Sequence, residues 1–137
     1  MKNKITLNDI ISFENSFKSS VNLYLSLNKA EKILGYIPTK SSVSILGEYL
    51  ESAITNKEQA SLLIGPYGKG KSHLILVLLG ILSMDRNDEN NRAILSLIEK
   101  IEKVDEIGSR IAKLATSAWN GKKYLPVLVT NTSNDLN

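Results

Sequence analysis

Apolar residues fall into two rhythms along this chain. Val21, Leu23, Leu25 and Leu27 alternate with Asn22, Tyr24 and Ser26, a period of two that predicts a half-buried strand over 20–27. The continuous apolar runs at 60–64 and 125–130 predict buried strands, with Pro126 near the start of the second, where a missing donor is tolerated. Elsewhere the spacing is helical. Asn8-Asp9 ahead of Ile10, Ile11 and Phe13 predicts a short capped helix, and Asn28 is placed to cap another that Gly35 stops. Tyr36-Ile37-Pro38-Thr39 reads as extended, because a residue before proline avoids the helical region. Ser41 or Ser42 then caps a helix with Val43, Leu46, Leu50, Ala53 and Ile54 on one face, ending near Asn56. The helix from Lys71 to about Ser83 is apolar nearly all round, which predicts burial against a sheet. Ile94, Leu97, Ile98, Ile101, Val104, Ile107, Ile111, Leu114 and Ala118 keep helical spacing through the stretch 91–119. That stretch is one helix tolerating Gly108, or two helices joined near Asp105 to Gly108.

Between the run at 60–64 and the apolar helix stands Gly65-Pro66-Tyr67-Gly68-Lys69-Gly70-Lys71-Ser72, which spells G-x-x-x-x-G-K-[ST], the Walker A phosphate-binding loop. Gly65, Gly68 and Gly70 allow positive φ and close approach of the backbone to a ligand. Successive N–H groups then form an anion nest, and the start of the next helix points its free amides and positive dipole end at the same place. Lys71 is placed to reach the β- and γ-phosphates of ATP and is the one candidate catalytic residue; the Ser72 hydroxyl is placed to ligate Mg²⁺. Pro66 stiffens the entry, while Tyr67 and Lys69 are free positions expected to be exposed. His73 completes the cofactor-binding stretch as a packing or hydrogen-bonding residue rather than a catalyst. A Gly-rich turn without a ligand is the competing explanation.

Strand, loop and helix in this order predict an α/β fold: a P-loop NTPase core of three layers, α/β/α, with a mostly parallel sheet, and incomplete. Residues 1–40 form an N-terminal segment with one strand, and 41–137 the first part of the NTPase domain. The end of the chain, Asn131-Thr132-Ser133-Asn134-Asp135, carries helix-cap chemistry with no helix following, so the fold is expected to stop part-way.

Composition narrows this only a little. Lys and Arg number 17 against 14 Asp and Glu, a scattered excess of +3 that gives no argument for nucleic-acid binding. Without cysteine, and with His73 as the single histidine, Cys-based and His-rich metal sites are excluded. No signal-peptide pattern opens the chain, and the longest apolar run, Leu74 to Leu82, is too short to span a bilayer; the expectation is a cytoplasmic protein with no membrane partner.

Hydrolysis needs more than the loop. A P-loop enzyme uses a second carboxylate at another strand's end to hold Mg²⁺ through water. Asp85 follows an apolar run but lies at the tail of the P-loop helix, on the wrong side of the sheet; Asn131 follows the strand at 125–130 but is not acidic. A GTPase is disfavoured: Asp105-Glu106-Ile107-Gly108 sits in a helical pattern, and Asn28-Lys29-Ala30-Glu31 precedes the loop instead of following it. With only Arg86, Arg92 and Arg110, a nucleotide kinase with an arginine-rich lid is disfavoured too.

Tyr36-Ile37-Pro38-Thr39, a helix, and Leu63-Ile64-Gly65-Pro66-Tyr67-Gly68-Lys69-Gly70-Lys71-Ser72-His73-Leu74 together resemble the start of large bacterial P-loop ATPases found in phage-defence clusters of the BREX kind. Tyr124-Leu125-Pro126-Val127-Leu128-Val129 with Asn134-Asp135-Leu136 is similar to the next strand and helix start of that group. The resemblance implies an N-terminal fragment of a longer ATPase whose partner carboxylate lies downstream. It also implies protein partners in a larger complex, and makes Tyr36 to Pro38 a candidate contact for adenine. The alternative is a nucleotide-gated interaction module without hydrolysis, docking a partner through the apolar stripe Ile94 to Ala118.

Overall fold

The computed structural model describes residues 21–27, 29–57, 60–66, 68, 70–85 and 91–129. Among them are six helices and no strand: α1 (Leu23–Ser26), α2 (Ala30–Leu34), α3 (Lys40–Ile54), α4 (Lys71–Ser83), α5 (Asn91–Glu102) and α6 (Glu106–Asn120). The expected α/β/α core with a mostly parallel sheet is therefore corrected to an all-helical arrangement. The helix expected around Ile10 and the cap at Asn28 lie outside the described residues.

Each of the three expected strands fails for a physical reason. Over 23–26 the chain is helical, because Asn22 closes a turn locally: its side chain accepts from the Leu25 amide at 3.3 Å, and Ser26 N–H donates to the Asn22 carbonyl at 2.8 Å. A period of two counts only when a neighbouring strand completes a ladder; here Tyr24 and Leu25 face solvent and Ser26 is buried. Residues 60–66 are irregular, with Leu63 packed on the core and Leu62 and Ile64 both more than 80% exposed. Residues 122–129 are likewise unpaired. Tyr124 pins them, its N–H donating to the Leu82 carbonyl at 3.0 Å and its hydroxyl to the Ala53 carbonyl at 2.8 Å, after which Leu125, Val127 and Val129 stand in solvent.

Helices take the sheet's place around α4. The expectation that α4 is buried holds, though against helices and not a sheet, and its nearly uniform apolar surface is explained by the helices packed round it, α1, α2, α3 and α6 foremost. Leu74, Leu76, Val77 and Ile81 are all buried. α3 begins at Thr39 rather than at Ser41 or Ser42, through a capping box: Thr39 Oγ1 accepts from the Ser42 amide at 3.3 Å, and Ser42 Oγ accepts from the Thr39 amide at 2.9 Å. Its Val43, Leu46 and Leu50 face the core, where α6 is the main partner.

The stretch 91–119 resolves into two helices. Asp105 caps α6 by accepting from the Gly108 amide at 2.9 Å, and a Cβ on Gly108 would run into the Ile101 carbonyl at the end of α5. Any larger residue at 108 would force the turn to shift. Of the stripe from Ile94 to Ala118, Ile94, Leu97, Ile98, Ile101, Ile111 and Ala118 are buried in the common core, while Ile107 is exposed. Among the described residues, no helix is long and apolar enough to cross a membrane.

Candidate nucleotide site

α4 starts without a side-chain cap. Its N-cap is Gly70, at φ 78 and ψ 13, and Gly68 two residues earlier has φ 79. Both lie in the left-handed region that glycine enters freely. Gly65, by contrast, is not at positive φ, and a Cβ there would only touch Lys71 Cδ at 3.7 Å. Tyr67 and Lys69 lie outside the described residues. The first amides of a helix have no intrahelical acceptor, and among the described residues no side chain caps them, so the turn of Lys71, Ser72 and His73 presents open donors and a positive dipole end.

Lys71 folds back over this turn. Its Nζ donates to the carbonyls of Gly65 at 2.5 Å and Pro66 at 2.7 Å, which holds the cation above the loop. Ser72 is exposed on the first turn of α4. Asp85 lies beyond the other end of the helix, on the order of 20 Å from Lys71 at 1.5 Å per residue.

The loop forms one wall of a cleft of about 600 Å³, a volume in the range of small-ligand sites. Gly65, Gly68, Gly70, Lys71 and His73 line one side; Gly35, Tyr36, Ile37, Thr39, Ser42 and Ile45 line the other. None of the described lining residues is Asp or Glu, and among the described residues no group of three His, Asp or Glu side chains converges as a metal site. Tyr36 and Ile37 are on the cleft wall as the adenine expectation requires, but Pro38 faces a separate depression beside Lys40 and Lys100.

Tyr36 is 5% exposed, and its hydroxyl is buried without a hydrogen-bond partner. Burial raises its pKa, an effect that nearby Ser42 partly offsets. The Ser42 hydroxyl, however, already donates to the Thr39 carbonyl at 3.0 Å, so it leaves the phenol without a well-formed bond. Such an orphaned polar atom beside a cleft fits a polar ligand group. The Tyr36 ring meets His73 edge to face, centroids 5.1 Å apart at 76°. His73 Nε2 lies 2.5 Å from the Lys32 carbonyl, which fixes the tautomer with the proton on Nε2. Burial lowers its pKa, against the opposing hydrogen bond to the Lys32 carbonyl and with a smaller push from the Lys32 charge, which favours the neutral ring.

Compared with protein-family models, curated proteins and solved structures, the chain matches none. The site therefore rests on its own geometry. The structure brings part of the expected loop and Tyr36 to one cleft and gives His73 a hydrogen bond, as its sequence position suggested. Sequence reasoning missed Thr39, Ser42 and Ile45 as a facing wall. Thr39-x-x-Ser42 is legible as a capping box, but only the packing of α3 beside α4 brings it to the loop.

Proposed function

We propose that this chain binds a nucleoside triphosphate, ATP by expectation, with its phosphates on the loop Gly65 to Ser72. The observation that carries the reading is the uncapped start of α4, with the Lys71 ammonium beside it, opening onto a cleft of nucleotide size. A phosphate there accepts from the amides of the first helical turn and lies at the positive end of the helix dipole. Lys71 exchanges its bonds to the Gly65 and Pro66 carbonyls for phosphate oxygens. Ser72 supplies the hydroxyl for Mg²⁺, whose charge offsets that of the phosphates. The apolar wall of Tyr36, Ile37 and Ile45 suits a base, and the Tyr36 hydroxyl gains a partner.

The anion grip depends on a loop and a helix start, so it survives the loss of the expected sheet. Turnover is not part of the proposal for these residues, because the described lining offers no carboxylate to order water. The likeness of Gly65 to His73 to phage-defence ATPases suggests a setting in which a longer assembly would supply one. Calorimetry with MgATP tests the reading: micromolar to low-millimolar binding that Lys71→Ala abolishes is expected, and no heat at millimolar nucleotide sinks it.

A further inference from the structure

We propose that His73 is a positioning residue, whose bond to the Lys32 carbonyl locks the first turn of α4, and with it Lys71 and Ser72, onto α2. The tether stands on geometry alone; its consequence for phosphate binding rests on the nucleotide reading above.

The leading edge of the first turn of α4, ahead of the buried Leu74, needs an anchor. Gly70 provides no cap, and uncapped helix ends fray. Among the described residues Lys71 bonds its own loop, at Gly65 and Pro66, and Ser72 is exposed. Among the described first-turn side chains, His73 is the one with a hydrogen bond into another helix, spanning 41 positions of sequence.

The acceptor lies at a helix end. Lys32 lies in the last turn of the five-residue helix α2, where carbonyls run out of intrahelical donors. The amides that follow go elsewhere: Gly35 N–H donates to Glu31 and Tyr36 N–H to Ile33. The Nε2–H of His73 donates to the Lys32 carbonyl. The Tyr36 ring, packed against the imidazole at a steep angle, restrains its plane so that the donor stays aimed. A residue two places before His73 in the same helical turn shares its rigid frame, so holding the ring holds the start of the Lys71 side chain.

Hydrogen exchange and calorimetry on wild type, His73→Leu, His73→Asn and His73→Gln decide the matter. Glutamine places an N–H donor near the Nε2 position; leucine has none, and asparagine is too short to reach. The amide of Leu74, which donates to the Gly70 carbonyl at 2.9 Å, should exchange at least about tenfold faster in the Leu and Asn variants and near the wild-type rate in the Gln variant. Unchanged exchange in both Leu and Asn, or a Gln variant as fast as they are, overturns the tether. Should the Leu variant not fold, the Asn and Gln pair carries the same comparison. In calorimetry the Leu or Asn variant should weaken MgATP and inorganic tripolyphosphate alike, by roughly tenfold. A loss confined to ATP overturns the positioning role, since it would mark His73 as a contact for the base. If wild type binds neither ligand, or Lys71→Ala binds like wild type, the nucleotide reading fails, and exchange alone judges the tether.

Discussion

Lys71 Nζ lies 2.5 Å from the Gly65 carbonyl oxygen, so the cation of the loop is bonded to the loop's own entrance. A phosphate must draw the ammonium away from two carbonyls, and charge-assisted bonds to phosphate make that exchange favourable. Lys71→Ala is expected to weaken MgATP binding by at least about 100-fold, roughly 2.7 kcal/mol. Its melting temperature should stay within a few degrees of wild type, because the side chain is only half-buried and bonds only a surface loop.

Gly70 tests the loop's backbone separately from its charge. No atom lies within 4 Å of a Cβ added there, so substitution costs nothing in space and acts only through φ 78. Gly70→Ala is expected to lower stability by about 1–2 kcal/mol in urea titration, and Gly70→Asn by less, since asparagine tolerates this region. Equal losses for the two variants would show that some other constraint acts at this position.

Gly108 answers to space instead. Its missing Cβ lets α6 start against the Ile101 carbonyl, which is backbone and cannot swing aside. Gly108→Ala should cost about 1–3 kcal/mol, measured by chemical denaturation, although alanine is the better helix former. A stabilised variant would mean that the two helices can join into one.

His73 gives stability a pH dependence of known sign. Its folded pKa is lowered by burial, and it is the sole histidine. Between that lowered value and about 6.5, the unfolded chain binds more protons than the folded one, so stability rises with pH in this window. The contribution is complete above about pH 6.5 and is lost as pH falls through the folded pKa. Urea midpoints should therefore drop between pH 7 and 5, and His73→Gln should flatten the part of the slope that histidine causes.

What the sequence made legible followed from local chemistry. α4 starts at Lys71 and runs to Ser83 as the loop and apolar run predicted, and α2 stops at Gly35. The choice between one helix and two over 91–119 depended on Asp105 and Gly108, both visible in the sequence, but only the clash at Ile101 decides it. The strands were misread because a strand is defined by its neighbour. Apolar runs at 60–64 and 125–129 satisfy the pattern, yet among the described residues no adjacent segment completes their ladders. In the site, the loop was legible because its residue types carry the chemistry; the opposing wall of Thr39, Ser42 and Ile45 was not, because only packing puts it there.

Leu62, Ile64, Leu125, Val127 and Val129 contribute almost no buried surface, so the molecule retains them without relying on them for its fold. Their cost falls on solubility. Two β-favouring segments with bare apolar side chains invite chain-to-chain association in concentrated solution. Threonine or lysine at Leu62, Leu125 and Val127 should raise the concentration at which light scattering first appears, while the melting temperature stays where it was.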